Sequence, residues 1–287
     1  MKFFGLSVLS ILFSLNAFSS SRILTTQIRE VDVGSKMGDE VLVFLTSGDV
    51  ARLKYWDSKL LGTLQGSEGT ENYFRITLDD RRRIKAIKKT PSPVGPKVTN
   101  FAKILFEENY TPTTIPSMEI AKSYISESRH PTKPETQCFN RAMVWSYEWW
   151  RKHSLKTNKI FVFWPKEYVR KHSFKWWFHV SPYAHIMDTD GIVKQRVLDV
   201  KWLKRPYEFQ EWANYHSSHD VPCRTVNSYS EYADFPFDTD RCYFIKTNMY
   251  TWMPADIEMK EGWDFKKSGF FMNEVEAAYL EAFDIKL

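Results

Sequence analysis

The sequence predicts an α+β fold in two parts. A small β-rich N-terminal domain precedes a larger domain in which an antiparallel sheet packs on a cysteine-bearing helix. Three observations carry this reading. Short apolar runs separated by turn residues fill the stretch from Val31 to about Lys89. Thr90-Pro91-Ser92-Pro93-Val94-Gly95-Pro96 then interrupts the chain with three prolines in six residues, which resist helix and sheet alike. Beyond it, an aromatic helix that opens near Cys138 is followed by buried-type strands.

The N-terminal elements follow from pattern. Val41-Leu42-Val43-Phe44-Leu45 is a buried-strand run, Ser47-Gly48-Asp49 a turn, and Val50 to Trp56 a second strand. Tyr73 to Leu78 and Ile84 to Ile87 form a further hairpin across Asp79 to Arg83. The expected domains are 21–90 for this β-rich unit, 91–116 for a linker and 117–287 for the larger domain. In the latter, Ser117 caps a helix to Arg129, and Thr136 is the expected cap of a helix from Gln137 to about His153. Ile160 to Trp164, Lys175 to Tyr183, Val193 to Val200 and Arg241 to Lys246 read as strands. Tyr207 to Tyr215 and Asn273 to Ala282 read as helices.

Before all of these, Lys2, the apolar run Phe3 to Leu15 and Ala17-Phe18-Ser19 have the form of a secretory signal peptide, residues 1–20. An uncleaved anchor is the alternative. A signal implies export to periplasm or medium, with no stable membrane anchor after cleavage. The chain has 287 residues, 43% of them apolar, which supports a packed core and excludes a disordered chain. The net charge of +5 is mild and dispersed, so nucleic acid is not an expected partner. Export permits disulfides. Of Cys138, Cys223 and Cys242, the last two are close in sequence, and pairing them leaves Cys138 free. Three unpaired, buried thiols are the alternative.

Cys138, His179 and Asp199 are the candidate nucleophile, base and orienting acid. A cysteine in the first turn of a helix sits where unpaired N–H groups and the helix dipole favour a thiolate and can hold an oxyanion. Papain-like and transglutaminase-like enzymes use this arrangement. The partners depend on the hairpin around Asp188-Thr189-Asp190-Gly191. A two-residue turn sets His179 opposite Trp202 and turns Asp199 to the other face. A three-residue loop, Thr189 to Gly191, pairs Asp188 with Ile192 and sets His179 opposite Lys201. Asp199 is then its diagonal neighbour, about 7–8 Å away at the backbone and within side-chain reach. The catalytic reading requires the second turn. Trp176, Trp177 and Ser181 are candidate substrate contacts, with Phe178 a further wall; ordinary core packing is the alternative for the aromatic run. The bland readings of the three central residues are a small buried thiol, a satisfied core histidine and a strand-end carboxylate. His172, His179 and His185 fit no metal-ligand spacing, so no metal is expected. Asp188 and Asp190 resemble calcium ligands only faintly.

Cys138-Phe139-Asn140-Arg141-Ala142, Trp176-Trp177-Phe178-His179-Val180-Ser181-Pro182 and Val197-Leu198-Asp199, followed by Trp202, Pro206 and Glu211-Trp212, resemble the protein-glutaminase family. In that family a Cys-x-x-Arg-Ala segment, a Trp-x-x-His-Val-x-Pro strand and a Val-x-Asp strand occur in this order. The likeness runs from Thr136 to Pro254. It implies a transglutaminase/papain-like core and a Cys-His-Asp triad on Cys138, His179 and Asp199. It implies deamidation of glutamine side chains in proteins or peptides, with no metal or organic cofactor. It also implies export as a proenzyme whose N-terminal segment covers the site, here about residues 20 to 110, with Lys88-Lys89 a possible processing point. A monomer is expected. A transglutaminase or cysteine peptidase on the same triad, and a non-catalytic exported binding protein, remain open alternatives.

Overall fold

The structure, a computed structural model, describes residues 21–34, 40–92, 104–105, 110–132, 135–217, 220–259 and 269–287. The expected signal peptide and most of the expected linker lie outside these residues.

The N-terminal part runs through β1 (Arg22–Thr26), β2 (Ile28–Asp32), β3 (Glu40–Leu45), β4 (Val50–Lys54), α1 (Ser58–Gln65), β5 (Tyr73–Leu78) and β6 (Ile84–Thr90). Two three-stranded antiparallel sheets result, in orders β1-β5-β6 and β2-β3-β4. Leu24, Val41, Val43, Leu45, Ile76 and Leu78 form their common core. Sequence patterning found the four later strands but not β1 and β2. Their residues, Arg-Ile-Leu-Thr-Thr and Ile-Arg-Glu-Val-Asp, mix charge and apolar side chains, as edge strands do.

The second part contains β7 (Ile104–Leu105), β8 (Thr114–Ile115), α2 (Met118–Glu127), α3 (Cys138–His153), β9 (Asn158–Phe163), α4 (Lys166–Lys171), β10 (Phe178–Met187) and β11 (Val193–Val197). It continues with α5 (Phe209–His216), β12 (Cys223–Val226), α6 (Tyr229–Ala233), β13 (Cys242–Asn248), α7 (Pro254–Met259), β14 (Phe270–Phe271) and α8 (Met272–Phe283). Five strands line up as β11-β10-β9-β13-β12, and β8 adds alongside β10. The sheet is mixed rather than purely antiparallel, because β8–β10 and β12–β13 pair in parallel. The expected linker therefore ends inside the sheet: Thr114 and Ile115 register with His185 and Ile186. A Cys223–Cys242 disulfide joins β12 to β13 at directly opposed positions and leaves Cys138 free.

Helix α3 is packed on two sides. Cys138, Phe139 and Ala142 face the sheet with Phe161, Phe178 and Val180. Val144, Trp145 and Trp149 face α8 through Val275, Ala278 and Tyr279. The Trp145 indole donates to the Arg129 carbonyl at 2.9 Å and that of Trp149 to Ser128 Oγ at 2.9 Å, so neither buried N–H is orphaned. Among the described residues, no helix is long and apolar enough to cross a membrane.

Lys159 is a buried exception in β9. It has no solvent exposure, and its Nζ donates to the Thr251 carbonyl at 2.6 Å. Burial pushes its pKa down to about 7, against the pull of Asp256 and Glu274. The unfolded chain keeps this proton to a pKa near 10.4. Between pH 7 and 9 the unfolded state therefore binds more protons, and stability rises with pH. Urea midpoints are expected to climb across that interval in the native protein and to flatten in Lys159→Met. An equal climb in both proteins refutes the assignment.

Candidate active site

Cys138 is the first helical residue of α3, and Gln137 at the cap position makes no side-chain capping bond. The expected cap, Thr136, is used otherwise: its carbonyl and its Oγ1 accept from Arg141 Nη1, the latter at 3.1 Å. The first-turn N–H groups of α3 therefore meet no capping side chain, beside a thiol. Cys138 is 8% exposed and faces a cavity of about 500 Å³ that also contains His179, Trp176, Trp202 and Lys201.

His179 comes from β10. The β10–β11 ladder pairs Tyr183 with Val197 and Met187 with Val193. Asp188 N–H donates to the Ile192 carbonyl at 3.0 Å, closing a three-residue loop in which Gly191 has φ +75°. This is the turn the catalytic reading requires. Strand β11 ends at Val197, earlier than expected, and the chain turns at Asp199, whose carbonyl accepts from Leu203 N–H at 2.9 Å. The Asp199 carboxylate then meets the imidazole: His179 Nε2 lies 2.8 Å from Asp199 Oδ2. Nδ1 of His179 is left for other partners. The Val180 N–H, next in the strand, hydrogen-bonds the Cys138 sulfur.

Burial dominates the electrostatics. It pushes the Cys138 thiol up to about 11, with Arg141 opposing. The helix start does not overcome this desolvation, contrary to the thiolate expected from position alone. Burial and the facing His216 push the His179 imidazole down to about 4, against the bond from Asp199. Burial raises the Asp199 carboxyl, but the bond with His179 and the nearness of His216 hold it below the usual carboxylate range.

The N-terminal part covers this site. Arg22, Leu24, Ser47, Asp49 and Arg82 line the cavity. The β3–β4 turn adds to the strand leading into β10: Trp177 N–H donates to the Gly48 carbonyl at 3.0 Å and Val50 N–H to the Lys175 carbonyl at 2.9 Å. Gly48 has φ +91°, and a Cβ there would sit 3.0 Å from the Phe178 ring. The turn carries Asp49 into the cavity, where Arg82 and Arg22 bind its Oδ1 at 2.6 and 3.1 Å and Ser47 its Oδ2 at 3.0 Å.

The expected substrate contacts separate. Trp176 walls the cavity and stacks on His179 with centroids 5.9 Å apart. Trp177 does not line it; it is 3% exposed, lies under Arg29 at 4.3 Å and donates to the Leu45 carbonyl at 2.8 Å. Ser181 is fully buried in β10 and does not line it either. His172 and His185 bond Thr239 and Gln195 respectively, apart from His179. Asp188 and Asp190 are answered by Lys194 at 3.1 and 2.7 Å.

Sequence reasoning gave no role to two residues of α5. Trp212 Nε1 donates to Asp199 Oδ2 at 3.1 Å, and His216 Nε2 lies 3.5 Å from the same oxygen. They are four residues apart, one turn on one helix face. That spacing was legible; the carboxylate they face was not.

Residues 118–216 match a family model described as glutaminase. The match contains Cys138, His179 and Asp199 and ends at His216. Over this segment the chain is similar to the glutaminases as a class. The particular resemblance is to the protein-glutaminase family, as the sequence motifs suggest. The crystal structure of an A47Q2 mutant of pro-protein-glutaminase is 12% identical, with 91% of this chain and 94% of that chain covered and a TM-score of 0.50. A crystal structure of pro-protein-glutaminase is 13% identical, with 89% of each chain covered and a TM-score of 0.48. The NMR structure of protein-glutaminase from Chryseobacterium proteolyticum is 13% identical, covering 50% of this chain and 80% of that one, at a TM-score of 0.35. No curated protein sequence matches.

A thiol whose pKa is raised in the fold yields little thiolate at neutral pH. Iodoacetamide labelling of Cys138 in the full chain is expected to keep accelerating, about tenfold per pH unit, beyond the pH near 8.5 where a free cysteine levels off. Levelling below pH 8 contradicts the burial argument.

Proposed function

We propose that this chain is an exported protein-glutamine deamidase, with residues 117–287 as its catalytic domain and residues 21–90 as a pro-region. One observation carries the reading. Cys138 opens an uncapped helix over the same cavity as His179, and the far nitrogen of that imidazole is held by Asp199 at 2.8 Å. The glutaminase match over this segment supports it.

In the proposed reaction His179 Nδ1 takes the Cys138 proton and the sulfur attacks a glutamine side-chain carboxamide. First-turn N–H groups of α3 hold the oxyanion. The imidazolium returns its proton to departing ammonia. Water, deprotonated by His179, then cleaves the thioester to glutamate. Asp199 fixes the imidazole tautomer and stabilises its charged form. Trp176 serves as the substrate wall.

The pro-region reading rests on the covered cavity and on Asp49 standing in it. Arg29 pairs with Glu258 and Tyr229, and Asp32 with Arg170, across the two parts. Lys88 and Lys89 are not in a linker; they pair with Arg75 and Phe74 inside the β5–β6 ladder, so a cut there has to peel away a strand. The signal segment at 1–20 and the disulfide suit an oxidising compartment outside the cytoplasm.

Ammonia release from a glutamine-containing peptide tests the activity. It is expected in the native protein, to fall to background in Cys138→Ala, and to drop by about 10²–10⁴ in Asp199→Asn. Amine incorporation or backbone cleavage in its place selects a transglutaminase or a peptidase. Loosening the cover with the double change Arg29→Ala and Asp32→Ala is expected to raise kcat/KM for the peptide. A fall identifies the N-terminal part as a substrate-binding module.

A further inference from the structure

His179, Asp199 and His216 each offer one ligand-type atom, and these atoms lie within 4.8 Å of one another. The three come from β10, from the turn after β11 and from the last turn of α5, so tertiary packing rather than local sequence assembles them. All are buried, at 3%, 1% and 7% exposure. We propose that this cluster is a binding site for a divalent transition-metal ion of the zinc class, and that occupancy shuts the enzyme off.

Two orphaned polar atoms point to a ligand. His216 Nε2 and Asp199 Oδ1 are both buried with no hydrogen-bond partner among the described residues. His216 Nε2 lies 3.5 Å from Asp199 Oδ2, at the edge of hydrogen-bonding distance. Buried polar atoms are rarely left so. An ion between the two rings gives His216 Nε2 a partner, with Asp199 supplying the carboxylate ligand.

Two of the three donor spacings suit the chemistry, and the third is within 4.8 Å. Donors about 2.0–2.2 Å from a tetrahedral zinc lie roughly 3.2–3.6 Å apart. Asp199 Oδ2 is 2.8 Å from His179 Nε2 and 3.5 Å from His216 Nε2, so these two pairs need only a few tenths of an ångström. A His₂-carboxylate set favours zinc, cobalt, nickel or copper over calcium or magnesium. The rings of Trp176, Trp202 and Trp212 pack around His216 with centroids 5.8, 6.0 and 5.7 Å away, an aromatic shell around the donors. Trp176 and Trp202 also line the cavity, which is the route in.

Binding at Nε2 moves the His179 ring proton to Nδ1, with no change in net charge. Nδ1 then carries a hydrogen and cannot accept the one on Cys138. The site itself rests on geometry; its effect on activity rests on the proposed triad. The readout is therefore metal binding.

Zinc titration by calorimetry at pH 7.5, on the full chain, tests it. The native protein and Cys138→Ala are expected to bind one zinc per chain with equal affinity. His216→Gln and His216→Phe, the second keeping ring volume, are each expected to bind at least about tenfold more weakly. X-ray absorption of the zinc-loaded native protein is expected to show nitrogen and oxygen neighbours alone. Loss of binding in Cys138→Ala, sulfur in the first shell, native affinity in both folded His216 variants, or no binding by the native protein overturns the proposal.

Discussion

His179 and Asp199 are almost sealed from solvent, and the 2.8 Å contact between them must form or the domain carries an uncompensated charge. Much of the local architecture serves that contact. A one-residue slip between β10 and β11 turns Asp199 to the opposite face. The loop that prevents the slip needs a left-handed residue, and Gly191 supplies it at φ +75°. Beyond Val197 the backbone leaves the sheet, and the turn at Asp199 aims the carboxylate inward. Trp212 supplies a second donor and covers it from α5.

The N-terminal part is held over this contact in a different way. Arg22–Glu135, Arg29–Glu258, Lys166–Glu30 and Arg170–Asp32 are ion pairs with partly exposed side chains. Pairs of that kind contribute about 0–1 kcal/mol each and weaken with salt. The stronger terms are the backbone bonds of Gly48 and Val50 to the strand before β10, and the Arg29 guanidinium on the Trp177 face. Beneath these polar contacts Leu42, Phe44 and Val50 join the buried cluster of Phe161, Phe163 and Phe178, so the seam also has an apolar floor.

The sequence exposed whatever has a local cause. Apolar runs located β3, β9 and β13, and Ser117 capped α2 as expected, with its Oγ accepting from Ile120 N–H at 3.3 Å. Turn length narrowed the hairpin to two registers on paper, and the structure takes the three-residue loop with Gly191 at φ +75°. Tertiary choices stayed hidden. β8 and β12 are short pieces that become strands by pairing in parallel with β10 and β13. Thr136 looks like a cap until Arg141 folds back and claims it. Trp177 and Ser181 share a motif with His179, yet one serves the cover and the other the interior of the sheet. His216 carries no signature in sequence, because its partner is another element's carboxylate.

Burial is the first cause of both large shifts in the cavity: it raises the Cys138 thiol and lowers the His179 imidazole. Both shifts oppose the thiolate–imidazolium pair that a cysteine hydrolase uses. Part of that burial is supplied by Arg22, Ser47, Asp49 and Arg82, and the Asp49 carboxylate adds its own upward push on the thiol. Withdrawing them admits water and takes away the Asp49 carboxylate together with the Arg22 and Arg82 guanidiniums that bind it. Relief of burial lowers the thiol pKa and raises the imidazole pKa, both in the direction of that pair. Arg141 stays with α3, three residues from the sulfur, and continues to favour the anion. On the proposed reading, the N-terminal domain therefore restrains the site twice, by occupying the space a substrate needs and by keeping the nucleophile protonated.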